Sequence, residues 1–596
     1  MCITLCQSFA YRLSRIASLT DKIGTAIRHA LGILRLAIRD LRYATSQSII
    51  SPVSVNLRRT SKSANTPLLY PALALLLSVF AIAPLWYPGF FQSHTGYAAI
   101  YNLIDLDQNL GSIFTWAPTW GRAFDALRMD GPFAYWLAEI FHRVGLSYLD
   151  AVKFTYALAF VVSAYAMFVL AKRVLKNDAG ALLASTLYLY FPYHIAIVYQ
   201  RGAFAEAVAY ALFPLALYAL YALRETPKMR ALIFGAVTML LLTLTQSGLA
   251  VLFGIFAFAW LFFTGQKMER GARLRTLGVI AGGIALGVAI RAPSMFSQAQ
   301  MFLPNGFVPA FVYPFQFLTA TWGSAQPRGV FTPDRAGEEA AYQIGIAALG
   351  FTMLALALLF RGGRENARAN AAYRVTVINV LFALVLLVLM MPWLEFLWNV
   401  TLSFVLQYPF QLLSFVALTL SFVAGALLVT DERFAEIPLL AALVIVPVLA
   451  GYPYLSPQFF DLNPNKPALA IFNNELALLD AKIVRPPGVW RHGATVQLDL
   501  TWQALKQPNR DYTVFLHVTD ENGQQWGATD EKPQGGTLST LKLAPGQIIS
   551  DTHSVQIDLN GPPEGYHMRL GIYPTATGEP APAETGATEI RIEENK

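Results

Sequence analysis

The chain has 596 residues, of which 55% are hydrophobic and only 14% charged. A soluble globular chain carries about a quarter charged residues, so this composition excludes an ordinary soluble domain and indicates a polytopic membrane protein. The net charge of +7 is no nucleic-acid footprint: residues 1–66 hold ten Lys/Arg against two Asp/Glu, while the remaining residues hold 34 against 35.

Residues 1–66 form a basic, cytoplasmic N-terminal region. Leu13, Ile16, Ile23, Ile27, Leu34, Ile38 and Leu41 recur at helical spacing among seven Lys/Arg. The pattern predicts an amphipathic helix lying on an anionic cytoplasmic leaflet, where apolar burial and basic charge add. The region lacks the short apolar core and small-residue cleavage site of a signal peptide. Cys2 and Cys6, the only cysteines, lie here, so neither a disulfide nor a metal site is expected.

Eleven apolar runs follow, near 68–87, 153–171, 180–198, 207–222, 231–247, 248–264, 276–291, 342–360, 375–392, 404–429 and 436–451. The loops after the second, fourth, sixth and eighth runs are basic, for example Lys172, Arg173 and Lys176, or Lys267, Arg270, Arg273 and Arg275. The positive-inside rule puts these loops in the cytoplasm, the intervening ones outside, and the C-terminal region outside. Residues 67–452 are then a helical membrane domain and 453–469 a linker.

The hairpin "YHIAIVYQRGAFAEAVAYALFPLALYAL" (193–220) carries Arg201 and Glu206 in a short polar insert. They belong at the outer water interface. There they either staple the turn or line a site in the outer leaflet.

Two outer loops are long. Residues 88–152 hold Asp105 and Asp107 on a segment of helical spacing. Side chains two apart on a helix diverge, so both reach one centre only where the helix ends. "TWAPTWG" and "MDGPFAYW" read as turns bearing aromatics, including Trp116, Trp120 and Tyr135. Such side chains suit the membrane interface and also stack on sugar faces. In 292–341, Pro304, Pro309 and Pro314 preclude a long helix, and the apolar composition suits packing on the outer leaflet or over a cavity.

From residue 470 the chain holds ten Lys/Arg and sixteen Asp/Glu and no spanning run. "ATVQLDLTWQ", "DYTVFLHVTD", "IISDTHSVQIDL" and "YHMRLGIYP" are strand-like, and "DENGQQ", "PPGVWRHG" and "NGPPEG" are turn signals. They predict an extracytoplasmic antiparallel β-sandwich of about seven strands. Its expected role is to bind carbohydrate or a neighbour, or to cover the membrane domain.

The 193–220 hairpin, "TWAPTWG" with "GPFAYWLAE", "TWG" followed by "YQIG" at 322–345, and "LQYPFQLL" at 406–413 together resemble bacterial membrane proteins of the 6-pyruvoyl-tetrahydropterin synthase-related type. These resemble the C-type (GT-C) glycosyltransferases. The resemblance implies a plasma-membrane enzyme of the bacterial cell envelope. It would move a sugar from a polyprenyl-phosphate donor to a glycan or glycolipid acceptor at the outer face. A carboxylate beyond the first span would act as base, and basic side chains would hold the phosphate.

The family's acidic position reads Thr95 here. Thr115 and Gln411 stand where arginines are usual, and Gln246-Ser247 replace a His-Asn pair. Arg201 and Glu206 match. The expected catalytic groups are therefore Asp105, Asp107 or His94. Arg201, Glu206, Trp116, Trp120, Tyr135 and Trp322 are expected to bind substrate. No motif fixes a cofactor or metal site, although a divalent cation is compatible with the chemistry. The alternatives are a catalytically silent relative that binds glycolipid or partners, and a lipid-linked sugar transporter. The absence of internal repeats and of charges inside the spans disfavours the transporter.

Overall fold

The computed structural model describes residues 68–592, apart from 92, 94–95, 114, 119–129, 265–267, 297–310, 319–342, 362–366, 407, 456, 458, 461–467, 474, 486–489, 506–507, 544–546 and 584–586. The amphipathic segment, His94, Trp120 and Trp322 lie outside the described residues.

Each of the eleven apolar runs contains a helix. Among the described residues eight helices are long and apolar enough to cross a membrane, from Leu69–Trp86 to Ile437–Tyr454. A ninth span arises if Asp178–Leu189 and Pro192–Arg201, bent by 42° at their junction, act as one. Met229–Thr245 and Ile346–Leu359 are apolar but shorter. At 1.5 Å per residue, Met229–Thr245 reaches about 26 Å, close to the thickness of a hydrocarbon core.

The bend at 190–192 follows from the sequence. Pro192 has no N–H for the preceding turn, and Phe191 adopts the extended backbone favoured before proline. The chain then makes a π-helical turn, Ile197–Arg201, and stops at Gly202 in the left-handed conformation (φ 65°). A Cβ on Gly202 would lie 2.4 Å from the backbone of Gly96. The 198–206 bend thus packs directly against the start of the helix Gly96–Gln108 in the first long loop.

Alternate helix ends are tied together by polar contacts. At one end, Arg173 pairs with Glu225 at 2.9 Å and Lys172 with Asp178 at 3.0 Å. At the other end, Gly131 N–H donates to Thr245 O at 2.7 Å, and Arg291 donates to the backbone of Asp130 at 3.3 Å. Lys172 and Arg173 therefore share one end of the bundle, and Gln246, Arg291 and Asp130 share another.

Helices Asp178–Leu189 and Leu413–Thr430 cross at Gly180 and Gly425. A Cβ on either glycine would come within 2.6 Å of the other's carbonyl oxygen. Lipid gives helices no hydrophobic drive to associate, so such close backbone approach supplies the dispersion contact that holds them.

The C-terminal part is an all-antiparallel sandwich. β1 (Phe90–Phe91) pairs with β2 (Phe459–Phe460) and ties the segment after the first span to the segment after the last. β3 (Ala470–Phe472), β4 (Leu476–Arg485), β5 (Thr495–Ala504), β6 (Tyr512–Thr519), β7 (Gln525–Glu531), β8 (Ile548–Gln556), β9 (His567–Pro574) and β10 (Ile590–Ile592) form two four-stranded sheets, ordered β3-β4-β5-β8 and β10-β9-β6-β7. This is one strand more than expected, because β3 and β10 are three-residue strands with no alternating pattern to reveal them. Leu476, Leu478, Leu498, Leu500 and Trp502 of one sheet meet Val514, Leu516, Met568 and Leu570 of the other in a core of their own. Ile471, Ala477, Leu479 and Leu505 instead join the core of the helical domain. The sandwich is therefore docked on the helical domain through the outer face of β3 and β4.

Gly425→Leu should overpack the helix crossing and lower stability by about 1–3 kcal/mol. Gly350→Leu, where added atoms meet open space, should leave the detergent melting temperature nearly unchanged.

Candidate functional site

The turn Asp130-Gly131-Pro132 starts the helix Phe133–Arg143. It lies on the break between Met229–Thr245 and Ser247–Thr264, where Asp130 and Gln246 make an antiparallel bridge. Glycine is required here, since a Cβ on residue 131 would meet Leu244 O at 2.0 Å. The backbone is pinned from the other side by Arg291, which donates to Asp130 O and to Ser247 Oγ.

Opposite this turn is a buried ion pair. Arg201 and Glu206 meet at 2.7 Å, with side chains 9% and 2% exposed. Tyr193 donates to Glu206 Oε1 at 2.5 Å, and Gln411 donates to Glu206 Oε2 at 3.1 Å. Arg201 also donates to Tyr193 Oη at 3.0 Å and lies over the Phe410 ring at 4.9 Å. A buried ion pair persists only when its remaining hydrogen-bonding capacity is met, and these neighbours meet it. Gln411, which occupies a position where the family resemblance suggests arginine, here serves Glu206.

The charges of Arg201, Glu206 and Arg291 all act on the carboxyl of Asp130. Burial pushes Asp130 up to about 7, and the charge of Glu206 pushes the same way, while Arg291 and Arg201 oppose them. Part of the residue's surface remains open. A carboxyl that burial holds well above its ordinary range, within the fields of two guanidinium groups, is suited to exchanging a proton beside an anion. With Asp130 protonated, the four groups carry one net positive charge.

Aromatic side chains wall this centre. Tyr135 packs on Trp116 at 5.4 Å and on Phe204 at 5.2 Å, and Tyr156 packs on Phe204 at 5.1 Å. Asn102 donates to Tyr135 Oη at 3.3 Å. Burial, and then the nearby Asp130 charge, raise the phenol of Tyr135 well above its ordinary value, so it stays protonated.

Among the residues expected from sequence, Arg201, Glu206, Trp116 and Tyr135 are brought to this one region. Asp105 accepts from Trp116 Nε1 at 2.7 Å and so touches the aromatic wall. Asp107 belongs to a separate cluster with Arg143, with Tyr148 at 2.6 Å and with His142 at 4.0 Å. Glu139 joins that cluster through Arg143 at 2.6 Å, and burial raises its carboxyl. The two aspartates diverge, as their spacing requires. Among the described residues no group of three or more His, Cys, Asp and Glu is placed to hold a metal ion.

Sequence reading missed Asp130 and Arg291. Asp130 was absorbed into a turn motif, although an acid before Gly-Pro at the start of an aromatic helix was a usable signal. Arg291 is a lone cation at the end of an apolar run.

Residues 127–303 match the family model described as the 6-pyruvoyl-tetrahydropterin synthase related domain, a membrane protein. That stretch is under a third of the chain and contains Asp130, Arg201, Glu206, Gln246 and Arg291. None of the curated proteins matches the chain. Among solved structures, the chain is similar to the apo oligosaccharyltransferase of Archaeoglobus fulgidus, at 14% identity and TM-score 0.37, over 66% of this chain and 55% of that one. The chain thus spans about half the length of that protein. It is similar to ArnT from Cupriavidus metallidurans bound to undecaprenyl phosphate, at 13% identity and TM-score 0.29, covering 62% of this chain and 78% of that one. It is also similar to the arabinosyltransferase EmbB from Mycobacterium smegmatis, at 10% identity and TM-score 0.34, covering 87% and 66%.

Two outcomes follow from the geometry. Asp130 holds its proton more tightly folded than unfolded, so the folded state binds more protons between 3.8 and about 7. Melting temperature should therefore fall as pH rises through that window, and Asp130→Asn should flatten this slope. Glu206→Leu should cost about 3–5 kcal/mol by stranding Arg201, and adding Arg201→Met should recover most of the loss in denaturation experiments.

Proposed function

We propose that this chain is a membrane glycosyltransferase that moves a sugar from a polyprenyl-phosphate donor to a hydroxyl acceptor at the outer face of the bacterial plasma membrane. The carrying observation is the placement of Asp130, a carboxyl that burial holds well above its ordinary range within the fields of Arg201 and Arg291, with Arg291 bonded to its backbone. The sequence motifs supply the reaction class, and the positive-inside rule supplies the side.

Asp130 acts as the base. The acceptor oxygen attacks the anomeric carbon, its proton passes to Asp130, and the bond from that carbon to the phosphate oxygen breaks. The leaving polyprenyl phosphate gains negative charge. Arg291, fixed by Ser247, and Arg201, fixed by Glu206, stabilise that charge electrostatically. Uptake of the proton by Asp130 removes a negative charge beside the phosphate as the phosphate becomes more negative, so the two changes favour each other. Trp116 and Tyr135 pack on each other beside Asp130 and shield it from water, and Asp105 orients Trp116. Asp107 supports the outer segment through Arg143 and Tyr148.

With a radiolabelled polyprenyl-phosphate sugar and purified chain in nanodiscs, Asp130→Asn should lower transfer by about 10²–10⁴-fold. Asp105→Asn and Asp107→Asn should stay within about tenfold of wild type. Tight glycolipid binding without turnover in the wild type would instead identify a silent relative.

A further inference from the structure

The sandwich carries a second concave site that the transfer chemistry does not use. A cleft of about 800 Å³ opens at one end of the two sheets, a size typical of small-ligand pockets. Its walls come from five separate segments: Asn473 after β3, Asn509 to Asp511 before β6, Lys532 after β7, Leu541 before β8, and the loop after β9. That last loop crosses from one sheet to the other. It leaves β9, and Ala583 then bridges Phe472 of β3 before the chain returns to β10.

The walls are held in place. Asp511 accepts from Lys532 Nζ at 2.7 Å and from Thr540 N–H at 2.9 Å, and its carbonyl accepts from Thr575 N–H at 2.8 Å. Beneath it, buried Glu475 accepts from Tyr512 Oη at 2.8 Å and from Asn509 N–H at 3.3 Å, while Asn473 donates to Tyr512 Oη at 3.1 Å. Such a network fixes side-chain positions before any ligand arrives.

We propose that this cleft binds a neutral glycan chain. The lining presents amides at Asn473 and Asn509, and hydroxyls at Thr575 and Thr577 that donate to Asp511 O and Pro574 O and so meet a ligand as acceptors, groups that match the hydroxyls of a sugar. Two cations, Arg510 and Lys532, are balanced by two anions, Asp511 and Glu579, so the cleft has no net charge with which to select an acid. Pro574, Pro580 and Pro582 supply flat apolar surface for sugar C–H groups. Among the described lining residues none is aromatic, so there is no stacking platform and binding rests on hydrogen bonds. That predicts weak, roughly millimolar affinity.

The position gives weak binding a use. Asn473 is two residues from Ile471, and Glu475 O accepts from Leu505 N–H at 2.8 Å; Ile471 and Leu505 both pack into the core of the helical domain. The cleft therefore lies beside the docking face, where a captured glycan would be kept close to the membrane domain. The inference rests on the lining chemistry and not on the transfer reading, so binding and activity fail separately.

The test uses the full chain in nanodiscs, titrated with maltohexaose, laminarihexaose, mannohexaose and hexagalacturonate. Ligand-observed NMR should give a dissociation constant in the millimolar range for at least one neutral hexasaccharide. Hydrogen exchange should slow at 509–511 and 575–582 on addition of that sugar, a readout that needs no variant. Asn509→Ala with Thr577→Leu should weaken binding about tenfold at unchanged melting temperature. The proposal is overturned if no neutral sugar binds below about 10 mM, if hexagalacturonate binds most tightly, or if protection appears elsewhere.

Discussion

The whole arrangement depends on an ion pair placed where water is scarce. Arg201 and Glu206 cost several kcal/mol each to desolvate, and a 2.7 Å contact alone does not offset that. Tyr193, Gln411 and the Phe410 ring complete the shell, and they come from two helices far apart in sequence. Satisfying the pair thus fixes how the 193–220 hairpin meets the segment 408–413. With the hairpin fixed, Gly202 seats the helix Gly96–Gln108 at Gly96, and the polar end of the bundle is assembled.

Asp130 depends on that assembly. Its backbone is held by the helix break at 245–247 and by Arg291, which fixes where the residue sits in the bundle. Burial is the largest influence on it, reinforced by Glu206 and opposed by Arg291 and Arg201. The result is a carboxyl poised near neutrality rather than one locked in a salt bridge. Asp107 shows the contrast: tied to Arg143 and Tyr148, it braces the helix Gly96–Gln108 against the helix Phe133–Arg143.

Most of the helical layout was legible in the sequence because a lipid-facing helix must be apolar over its whole length. Boundaries blurred where that rule relaxes, as at the Phe191-Pro192 bend and at Gln246, where helices face each other. The sandwich was legible through alternation in β5 and β8, whereas β3 and β10 were too short to alternate. Arg201 and Glu206 stood out because charge is rare there. Their mutual pairing, and the convergence of Asp130 and Arg291 on them, did not. Those residues lie up to 161 positions apart, and only folding brings such positions together.

Everything functional here requires that the Asp130 end of the bundle face outward. The direct measurement is labelling by a membrane-impermeant maleimide in intact cells, on a background with Cys2 and Cys6 replaced by serine. Val144→Cys, exposed on the first outer segment, and Lys228→Cys, exposed at the basic end, are the two probes. The account predicts that Val144→Cys labels in intact cells and Lys228→Cys labels only after permeabilisation. The reverse pattern would put Asp130, Arg201 and Arg291 on the cytoplasmic side and contradict it.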